Sequence, residues 1–235
     1  MKLSVIIPAF NEESYLASCL SSIFNQTEPA DEVIVVDNNS SDTTAKIASK
    51  FRTRVITERR RGMTVARNTG FDAARFPLIA RTDADTIVPK NWIQLIKQGF
   101  EDKNIVALSG PAKSESKAFT SMTKLYFPIN KLLLGHNVLL GPNFAIRNST
   151  WKKIRSEICL NDERVHEDLD IAIHAAKFGL IAYDNRLIVK TSARRLENDP
   201  GSYFGEYLLR WLTTQAEHTG SSKKNSRRRQ ISPVS

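Results

Sequence analysis

Short runs of β-branched residues alternate with amphipathic stretches through the first half of the chain. Residues 5–7 and 33–36 are two such runs, each bounded by turn residues, which is typical of strands buried on both faces of a parallel sheet. The segment between them carries apolar side chains at the spacing of one helical stripe: Tyr15, Leu16, Cys19, Leu20, Ile23 and Phe24. We expect a helix there, with Asn11 as its N-cap, and therefore a strand–helix–strand unit.

The same alternation continues along the chain. It predicts a helix after Asp42, a strand near residues 55–56, a helix over residues 65–74 and a strand at residues 78–80. Because strands and helices alternate, we expect an α/β fold with a mainly parallel central sheet flanked by helices. Ligands of such sheets bind at the carboxyl ends of the strands, so we look for the functional residues there.

The second half is less regular and indicates an elaboration of the same domain. We expect strands at residues 106–108 and 144–146, an amphipathic segment over residues 118–140, and a helix that starts at Glu167 and Asp168. Residues 221–235 are rich in Ser, Lys and Arg and are predicted to be a disordered tail. Residues 1–110 and 111–220 would then form the two halves of one folded domain.

Composition is that of an ordinary folded protein. Of 235 residues, 41% are hydrophobic and 25% are charged. Cys19 and Cys159 have no CxxC spacing, so we expect free thiols, no zinc site and a reducing compartment. No run reaches the roughly 18 to 20 apolar residues of a membrane span, and the first residues lack a signal-peptide core, so the expected location is cytoplasmic.

Carboxylates stand where strands of the predicted sheet end. Asp37 follows the second strand, and Asp83 and Asp85 follow the strand at residues 78–80. Side chains at neighbouring strand tips can share one cleft, where carboxylates can hold a hard cation such as Mg²⁺ or Mn²⁺. A cation held by so few carboxylates completes its shell with phosphate oxygens, which favours a nucleotide diphosphate as ligand. Taken alone, Asp-x-Asp is more typical of a solvated turn than of a metal site.

Arginines are the expected phosphate partners, because the sequence contains neither GxGxxG nor GxxxxGK[ST]. The candidates are Arg67, early in a predicted helix, and Arg194 and Arg195, which follow an apolar run at residues 187–189. Glu167 and Asp168 open a helix, where a carboxylate often caps the first turn. Alternatively, one of the two caps the helix while Asp168 faces the cleft as a general base.

Five motifs, collinear from residue 3 to about residue 195, resemble the inverting family-two glycosyltransferases of the GT-A fold. They are VIIPAFNEE at residues 5–13, VIVVDNNSSDTT at residues 33–44, Gly62 with ARNTG at residues 66–70, DAD at residues 83–85 and ED at residues 167–168. The resemblance implies a single GT-A-like domain. Residues 1–110 would bind a nucleotide sugar, and residues 111–220 would bind the acceptor and carry out catalysis.

The resemblance also implies a role for particular residues. The nucleotide base and ribose would lie near Pro8, Ala9, Phe10, Glu12 and Asp37, with Arg67 helping to hold the nucleotide. Asp83 would approach the ribose and Asp85 the metal. Asp168, beside Glu167, would deprotonate the hydroxyl of a saccharide or lipid-linked acceptor, with inversion at the sugar. The donor sugar and acceptor would be lined by Gly141, Pro142 and Asn143.

The Gln-x-x-Arg-Trp motif of processive members appears only as YLLRW at residues 207–211, so polymer synthesis is not expected.

Two other functions stay open on the sequence. Residues 83–86, DADT, imitate the nucleophile motif of haloacid-dehalogenase-type phosphatases, although that motif belongs on a first strand. The net charge of +9 and a tail with five basic residues could attract nucleic acid. No nucleic-acid-binding signature accompanies the tail, so we expect no specific nucleic-acid partner.

A membrane surface is a further candidate partner. Lys117, Lys124 and Lys131 recur every seven residues, and a separate apolar stripe is formed by Phe119, Met122, Tyr126, Ile129 and Leu133. A helix of this kind can lie on anionic lipid at the inner face of a membrane. Alternatively, the stripe packs on the sheet, the lysines are solvated, and Pro128 interrupts the helix.

Overall fold

A computed structural model describes residues 1–160, 165–192, 194, 201, 205–206 and 209–216. The described strands are β1 (Leu3–Ala9), β2 (Glu32–Asp37), β3 (Arg54–Thr57), β4 (Leu78–Arg81), β5 (Thr86–Ile87), β6 (Ile105–Ser109), β7 (Ala112–Lys113), β8 (Phe144–Arg147), β9 (Leu180–Tyr183) and β10 (Val189–Thr191). Among the helices are α1 (Leu16–Phe24), α2 (Thr44–Ala48), α3 (Met63–Ala73), α4 (Trp92–Gly99), α5 (Lys117–Leu134), α6 (Asn148–Ile154) and α7 (Glu167–Ala175).

The central sheet has seven strands in the order β3-β2-β1-β4-β8-β6-β9. β1 pairs in parallel with β2 and β4, and β2 pairs in parallel with β3. β8 runs antiparallel between β4 and β6. The predicted α/β fold with a mainly parallel sheet is confirmed. The direction of β8 could not be predicted, because a four-residue apolar run carries no information on which neighbours it will pair with.

Helices cover both faces of this sheet. Val5 and Ile7 of β1 share one core with side chains of α1 and α4, whereas Ile6 points into a second core with side chains of α3, α6 and α7. α3 packs closely on the sheet at Gly70, where a Cβ atom would lie only 2.3 Å from Ile6 Cγ2. Within the described residues, no helix combines the length and the apolar character that crossing a membrane requires.

The predicted N-cap role of Asn11 is wrong. α1 begins only at Leu16, after Tyr15, and Asn11 adopts a left-handed backbone conformation with φ 53°. Its Oδ1 accepts a hydrogen bond from the backbone N–H of Ser41 at 2.8 Å. Asparagine tolerates this conformation and bonds readily to nearby backbone, so Asn11 joins the loop after β1 to the loop after β2.

α5 runs through Pro128, so the predicted interruption is wrong. Pro128 lies on the exposed side of the helix, where water can bond the carbonyl that loses its N–H partner. The predicted apolar stripe of this helix is also divided. Phe119 is buried against the core, whereas Ile129 and Leu133 are 47% and 57% exposed.

A small sheet with the order β5-β10-β7 lies beside the end of β4. β5 begins directly after Asp85, and β10 ends at Thr191, close in sequence to Arg194. Thr86 Oγ1 in β5 donates to Thr191 Oγ1 in β10 at 3.0 Å, and Thr191 Oγ1 lies 3.3 Å from Asp85 Oδ1. The small sheet therefore brings the segment that carries Arg194 to Asp85.

Candidate active site

The ends of parallel strands place acidic side chains along one edge of the central sheet. β1 lies between β2 and β4, with Ala9 opposite Asp37 and Ile6 opposite Arg81. Asp37 ends β2 at the same edge at which Asp83 follows β4. The strand-end carboxylates thus share one edge, because parallel neighbours direct their carboxyl ends the same way.

Arg81, the last residue of β4, is the centre of a buried ion network at this edge. Its Nη1 donates to Glu167 Oε1 at 2.6 Å and to Asp168 Oδ1 at 3.1 Å, and its Nη2 donates to Asp83 Oδ1 at 3.1 Å. The side chain is only 2% exposed. Sequence analysis did not identify Arg81. The available signal was a single charged residue at the end of an apolar run, two positions before the Asp-x-Asp motif.

Glu167 is held by two arginines. Arg67 Nη1 donates to its Oε2 at 2.8 Å, while Arg81 occupies its Oε1. Burial opposes ionisation, but the charges of Arg81 and Arg67 outweigh it and keep the pKa of Glu167 below its ordinary value. Arg67, predicted to help hold the nucleotide, is fully buried and also donates to Asn68 Oδ1. Its position makes it a support for Glu167.

Asp168 is fixed through both carboxylate oxygens. Oδ1 accepts from Arg81, and Oδ2 accepts from the backbone N–H of Gly141 at 2.7 Å. Burial raises the pKa of Asp168, the charge of Glu167 raises it further, and Arg81 only partly opposes both. Asp168 is therefore an oriented carboxylate with an increased affinity for a proton, which is what a general base requires.

Neither member of the acidic pair caps α7. The N-cap residue is His166, which makes no side-chain cap bond, and Glu167 and Asp168 lie inside the first turn. The capping interpretation is therefore wrong. The carboxylates bond to buried guanidinium groups instead, because charge-assisted bonds in a buried site are stronger than a bond to a helix-terminal N–H.

A second group of charges surrounds Asp85. Arg194 Nε lies 3.7 Å from Asp85 Oδ2, and Arg194 Nη2 donates to Glu12 Oε1. The Arg194 guanidinium also lies 4.7 Å from the centre of the Tyr15 ring. Burial, followed by the charge of Asp83, raises the pKa of Asp85 to about 6, with Arg194 opposing. Burial likewise raises the pKa of Glu12. Asp85, Asp83 and Glu12 thus bring negative charge to one place, where Arg194 pairs with Glu12 and lies beside Asp85.

The remaining residues predicted to bind the nucleotide lie at the start of this edge. Pro8 and Ala9 are buried in β1, while the Phe10 ring is 38% exposed, with the Arg61 guanidinium 4.2 Å from its centre. Phe10 therefore offers an aromatic surface at the strand end. Arg195, the other predicted phosphate partner, lies outside the described residues.

The residues of the predicted sugar-lining segment make different contacts in the structure. Gly141 contacts Asp168 as described, and the half-buried Pro142 follows it. Asn143 is fully buried: its amide donates to the carbonyl oxygens of Pro111 and Leu187 and accepts from Trp92 Nε1. The polar atoms of Asn143, predicted to line the donor sugar and acceptor, join distant segments of the chain in this structure.

A family model for glycosyl transferase family 2 matches residues 4–160. The chain is also similar to the putative glycosyltransferase EpsH of Bacillus subtilis, with 31% identity over 158 residues, which is 65% of this chain and 46% of EpsH. The chain thus spans about half the length of this relative. The family match favours glycosyl transfer over the phosphatase and nucleic-acid functions that the sequence left open.

Two solved structures share the fold. The mannosyltransferase PcManGT from Pyrobaculum calidifontis, in complex with GDP-Man and Mn²⁺, has a TM-score of 0.67 at 19% identity over 80% of this chain and 56% of its own. Glucosyl-3-phosphoglycerate synthase from Mycobacterium tuberculosis, in complex with Mn²⁺, UDP and glucosyl-3-phosphoglycerate, has a TM-score of 0.67 at 19% identity over 93% of this chain and 80% of its own. The expected GT-A fold is confirmed, and with the family match to two thirds of the sequence the chain belongs to glycosyl transferase family 2.

Proposed function

We propose that this chain transfers a sugar from a nucleoside-diphosphate sugar to an acceptor hydroxyl, with inversion at the anomeric carbon. The observation that carries the proposal is the geometry of Asp168, a buried carboxylate oriented by Arg81 and Gly141 N–H. Arg81 joins it to Asp83, so the candidate base and the Asp-x-Asp motif belong to one connected network.

The proton step follows from this network. As the acceptor oxygen forms its bond to the anomeric carbon, the bond from that carbon to the diphosphate oxygen breaks, and its electron pair leaves with the diphosphate. Asp168 takes the hydroxyl proton. Glu167 stays ionised because two arginines hold it, and its charge favours the protonated form of Asp168.

The residues around Asp85 fit a divalent cation. Asp83, Asp85 and Glu12 supply hard oxygen donors, and Glu12 Oε2 is buried without a hydrogen-bond partner among the described residues. Arg194 already places one positive charge between Glu12 and Asp85. Within the described residues no group of three His, Cys, Asp or Glu side chains forms a complete metal site, so diphosphate oxygens would complete the shell. Bound Mg²⁺ or Mn²⁺ would offset charge on the departing diphosphate.

The nucleotide would occupy the sheet edge between β2 and β4. Phe10 would offer its exposed ring to the base, Asp37 and Asp83 would accept hydrogen bonds from ribose hydroxyls, and Arg194 would offer its guanidinium to the diphosphate. The ligands in the two related structures, GDP-Man in one and UDP in the other, support this donor class. We assign the acceptor hydroxyl to a saccharide or lipid-linked molecule, and the reaction to the cytoplasm.

Isothermal calorimetry and a transfer assay test the proposal together. The full chain, with Mn²⁺, is titrated with UDP and GDP, and release of nucleoside diphosphate from a panel of UDP- and GDP-sugars is measured with and without saccharide acceptors. We expect Asp168→Asn to bind nucleotide like the wild type and to lose transfer by a factor on the order of 10² to 10⁴. Asp102→Asn, at an exposed loop position, is the matched control.

Two results would contradict the proposal. One is full transfer by Asp168→Asn, because that result would show that Asp168 is not the base. The other is a wild-type chain that binds none of the nucleotides or nucleotide sugars in the presence of Mn²⁺. Proton NMR of the anomeric centre in the product separately tests inversion, because retention would require a different mechanism.

A further inference from the structure

α5 carries a second apolar stripe that faces away from the core. Its exposed apolar side chains recur at the spacing of one helix face: Leu125, Pro128, Ile129, Leu132 and Leu133. Leu132 is 86% exposed and Leu125 is 60% exposed. The opposite side of the same helix is already packed, through Phe127 and Thr123. An exposed apolar stripe of this length on a charged protein indicates a surface that contacts a binding partner or a membrane when the protein functions.

Basic side chains accompany the stripe. Lys124 and Lys131 are exposed and seven residues apart, so they lie on one flank of the apolar face. The sequence of α5, from Lys117 to Leu134, contains no Asp or Glu. The chain that follows the last described helical residues adds five basic residues and no acid between positions 221 and 235. Apolar and cationic groups on one helix are complementary to an anionic lipid surface.

A second copy of the chain is a poorer occupant. A symmetric contact through this face would bring Lys124 and Lys131 of one copy near the same lysines of the other. α5 offers no carboxylate to compensate that repulsion. Lipid phosphate groups would compensate it, while the leucines enter the acyl boundary.

The packed side of α5 is linked to the segment that precedes Glu167 and Asp168. Helical residues 209–216 pack beside α5, where Trp211 Nε1 donates to Asn130 Oδ1 at 2.8 Å, and they expose Leu209 and Leu212. In the same segment, Thr214 Oγ1 accepts from the backbone N–H of His166 at 2.8 Å. His166 directly precedes Glu167 and Asp168. Residues 209–216 therefore connect α5 to the segment that carries Asp168, the candidate base.

We infer that the exposed face of α5, with the adjoining Leu209 and Leu212, docks the protein on an anionic membrane surface, where it can meet a lipid-linked acceptor. The docking stands on the exposure and charge of α5. Only its link to a lipid-linked acceptor rests on the proposed function.

Vesicle sedimentation of the full chain tests this inference. Vesicles of phosphatidylcholine alone are compared with vesicles that also contain phosphatidylglycerol, at low and high salt. We expect binding to the anionic vesicles only, weakened by salt. Leu125→Gln combined with Leu132→Gln should lower the partition coefficient about tenfold or more, since both leucines are exposed and their loss does not affect the core. Lys124→Glu with Lys131→Glu should lower it similarly.

Matched controls separate the α5 face from general surface effects. Leu160→Gln with Leu180→Gln changes two exposed leucines elsewhere, and Lys46→Glu with Lys50→Glu changes two exposed lysines of the α2 region. Both should bind vesicles nearly like the wild type. The inference is overturned if the α5 variants sediment like the wild type. It is also overturned if neutralising Lys223, Lys224 and residues 227–229 alone abolishes binding, or if the α5 leucines prove to mediate a dimer that does not bind vesicles.

Nucleotide calorimetry distinguishes a failure of the membrane-docking inference from a failure of the proposed function. The α5 variants should bind UDP or GDP with unchanged affinity. Vesicle binding without any nucleotide binding would refute the glycosyltransferase proposal and leave the docking surface intact.

Discussion

Gly141 donates its backbone N–H to Asp168 Oδ2 across 2.7 Å, and its missing side chain is what permits the approach. A Cβ atom at this position would lie 3.0 Å from Asp168 Oδ2 and 3.4 Å from Arg81 Nη2. Either the carboxylate or the loop must then move by a few tenths of an ångström. Gly141 thus positions the candidate base through backbone alone.

Gly141→Ala is therefore expected to lower the rate of transfer by about tenfold while preserving the fold, because misplacing a catalytic group by a fraction of an ångström raises the barrier. The measurement is kcat with saturating nucleotide sugar, alongside circular dichroism. Gly205→Ala is the control, since nothing lies within 4 Å of a Cβ built at Gly205. Equal rates for both variants would show that Gly141 does not position the base.

Arg81→Gln should destabilise the fold severely. Removing this guanidinium leaves Glu167, Asp168 and Asp83 as neighbouring carboxylates with one shared counter-charge lost, and breaking a buried ion network in this way costs roughly 3–5 kcal/mol. Urea unfolding at neutral pH measures the loss.

Arg186→Gln provides the comparison for that measurement. Arg186 pairs with Asp184 at 2.7 Å, but its side chain is 66% exposed, so its loss should change the free energy of unfolding far less than the loss of Arg81 does. If Arg81→Gln and Arg186→Gln lowered the free energy of unfolding by the same small amount, the buried ion network would not stabilise the fold.

The transfer rate should rise with pH as Asp168 loses its proton. Asp168 must be deprotonated to act as base, and burial and Glu167 raise its pKa, so the acidic limb of kcat should lie above the pKa of about 3.9 of an ordinary aspartate. Protonation below that limb removes the base. The measurement uses saturating donor and Mn²⁺, so that the pH profile of kcat does not reflect changes in ligand binding. A rate that stays constant down to the ordinary aspartate range would argue against Asp168 as the base.

Asp85→Asn should weaken nucleotide binding only when metal is present. The change removes one negative oxygen donor from the site beside Glu12 and Asp83, so affinity for UDP or GDP with Mn²⁺ should fall about tenfold or more. Calorimetry with and without Mn²⁺ measures the difference. The same affinities in the wild type and the variant under both conditions would place the cation elsewhere.

Arg194→Ala should reduce affinity for the diphosphate without affecting the base. Arg194 lies beside Asp85 and Glu12 and is partly exposed, unlike the buried Arg67 and Arg81, so its removal affects a ligand more than the fold. We expect a several-fold increase in the dissociation constant for UDP or GDP. Thermal unfolding without ligand should change little. A large loss of unliganded stability would make Arg194 a structural residue.

The order of strands and helices, and the carboxylates at strand ends, were predictable from sequence. Periodicity of apolar side chains is a local property, because it reflects which face of each element is buried. The resemblance carried by five short motifs added the family and the GT-A fold, both confirmed by the comparisons. Asp37, Asp83 and Asp85 share an edge because parallel neighbours end on the same side of the sheet.

Only the tertiary structure decided which charges meet. In sequence, Arg67 and Arg81 resemble any exposed arginine, yet both are buried against Glu167, 100 and 86 positions away in the chain. Asn143 joins distant segments instead of facing a ligand, and one side of α5 packs while the other stays apolar and exposed. These facts depend on contacts between segments far apart in sequence, and no local pattern specifies them. The sequence by itself therefore determined the elements and the family, and packing determined the network that orients Asp168, the candidate base.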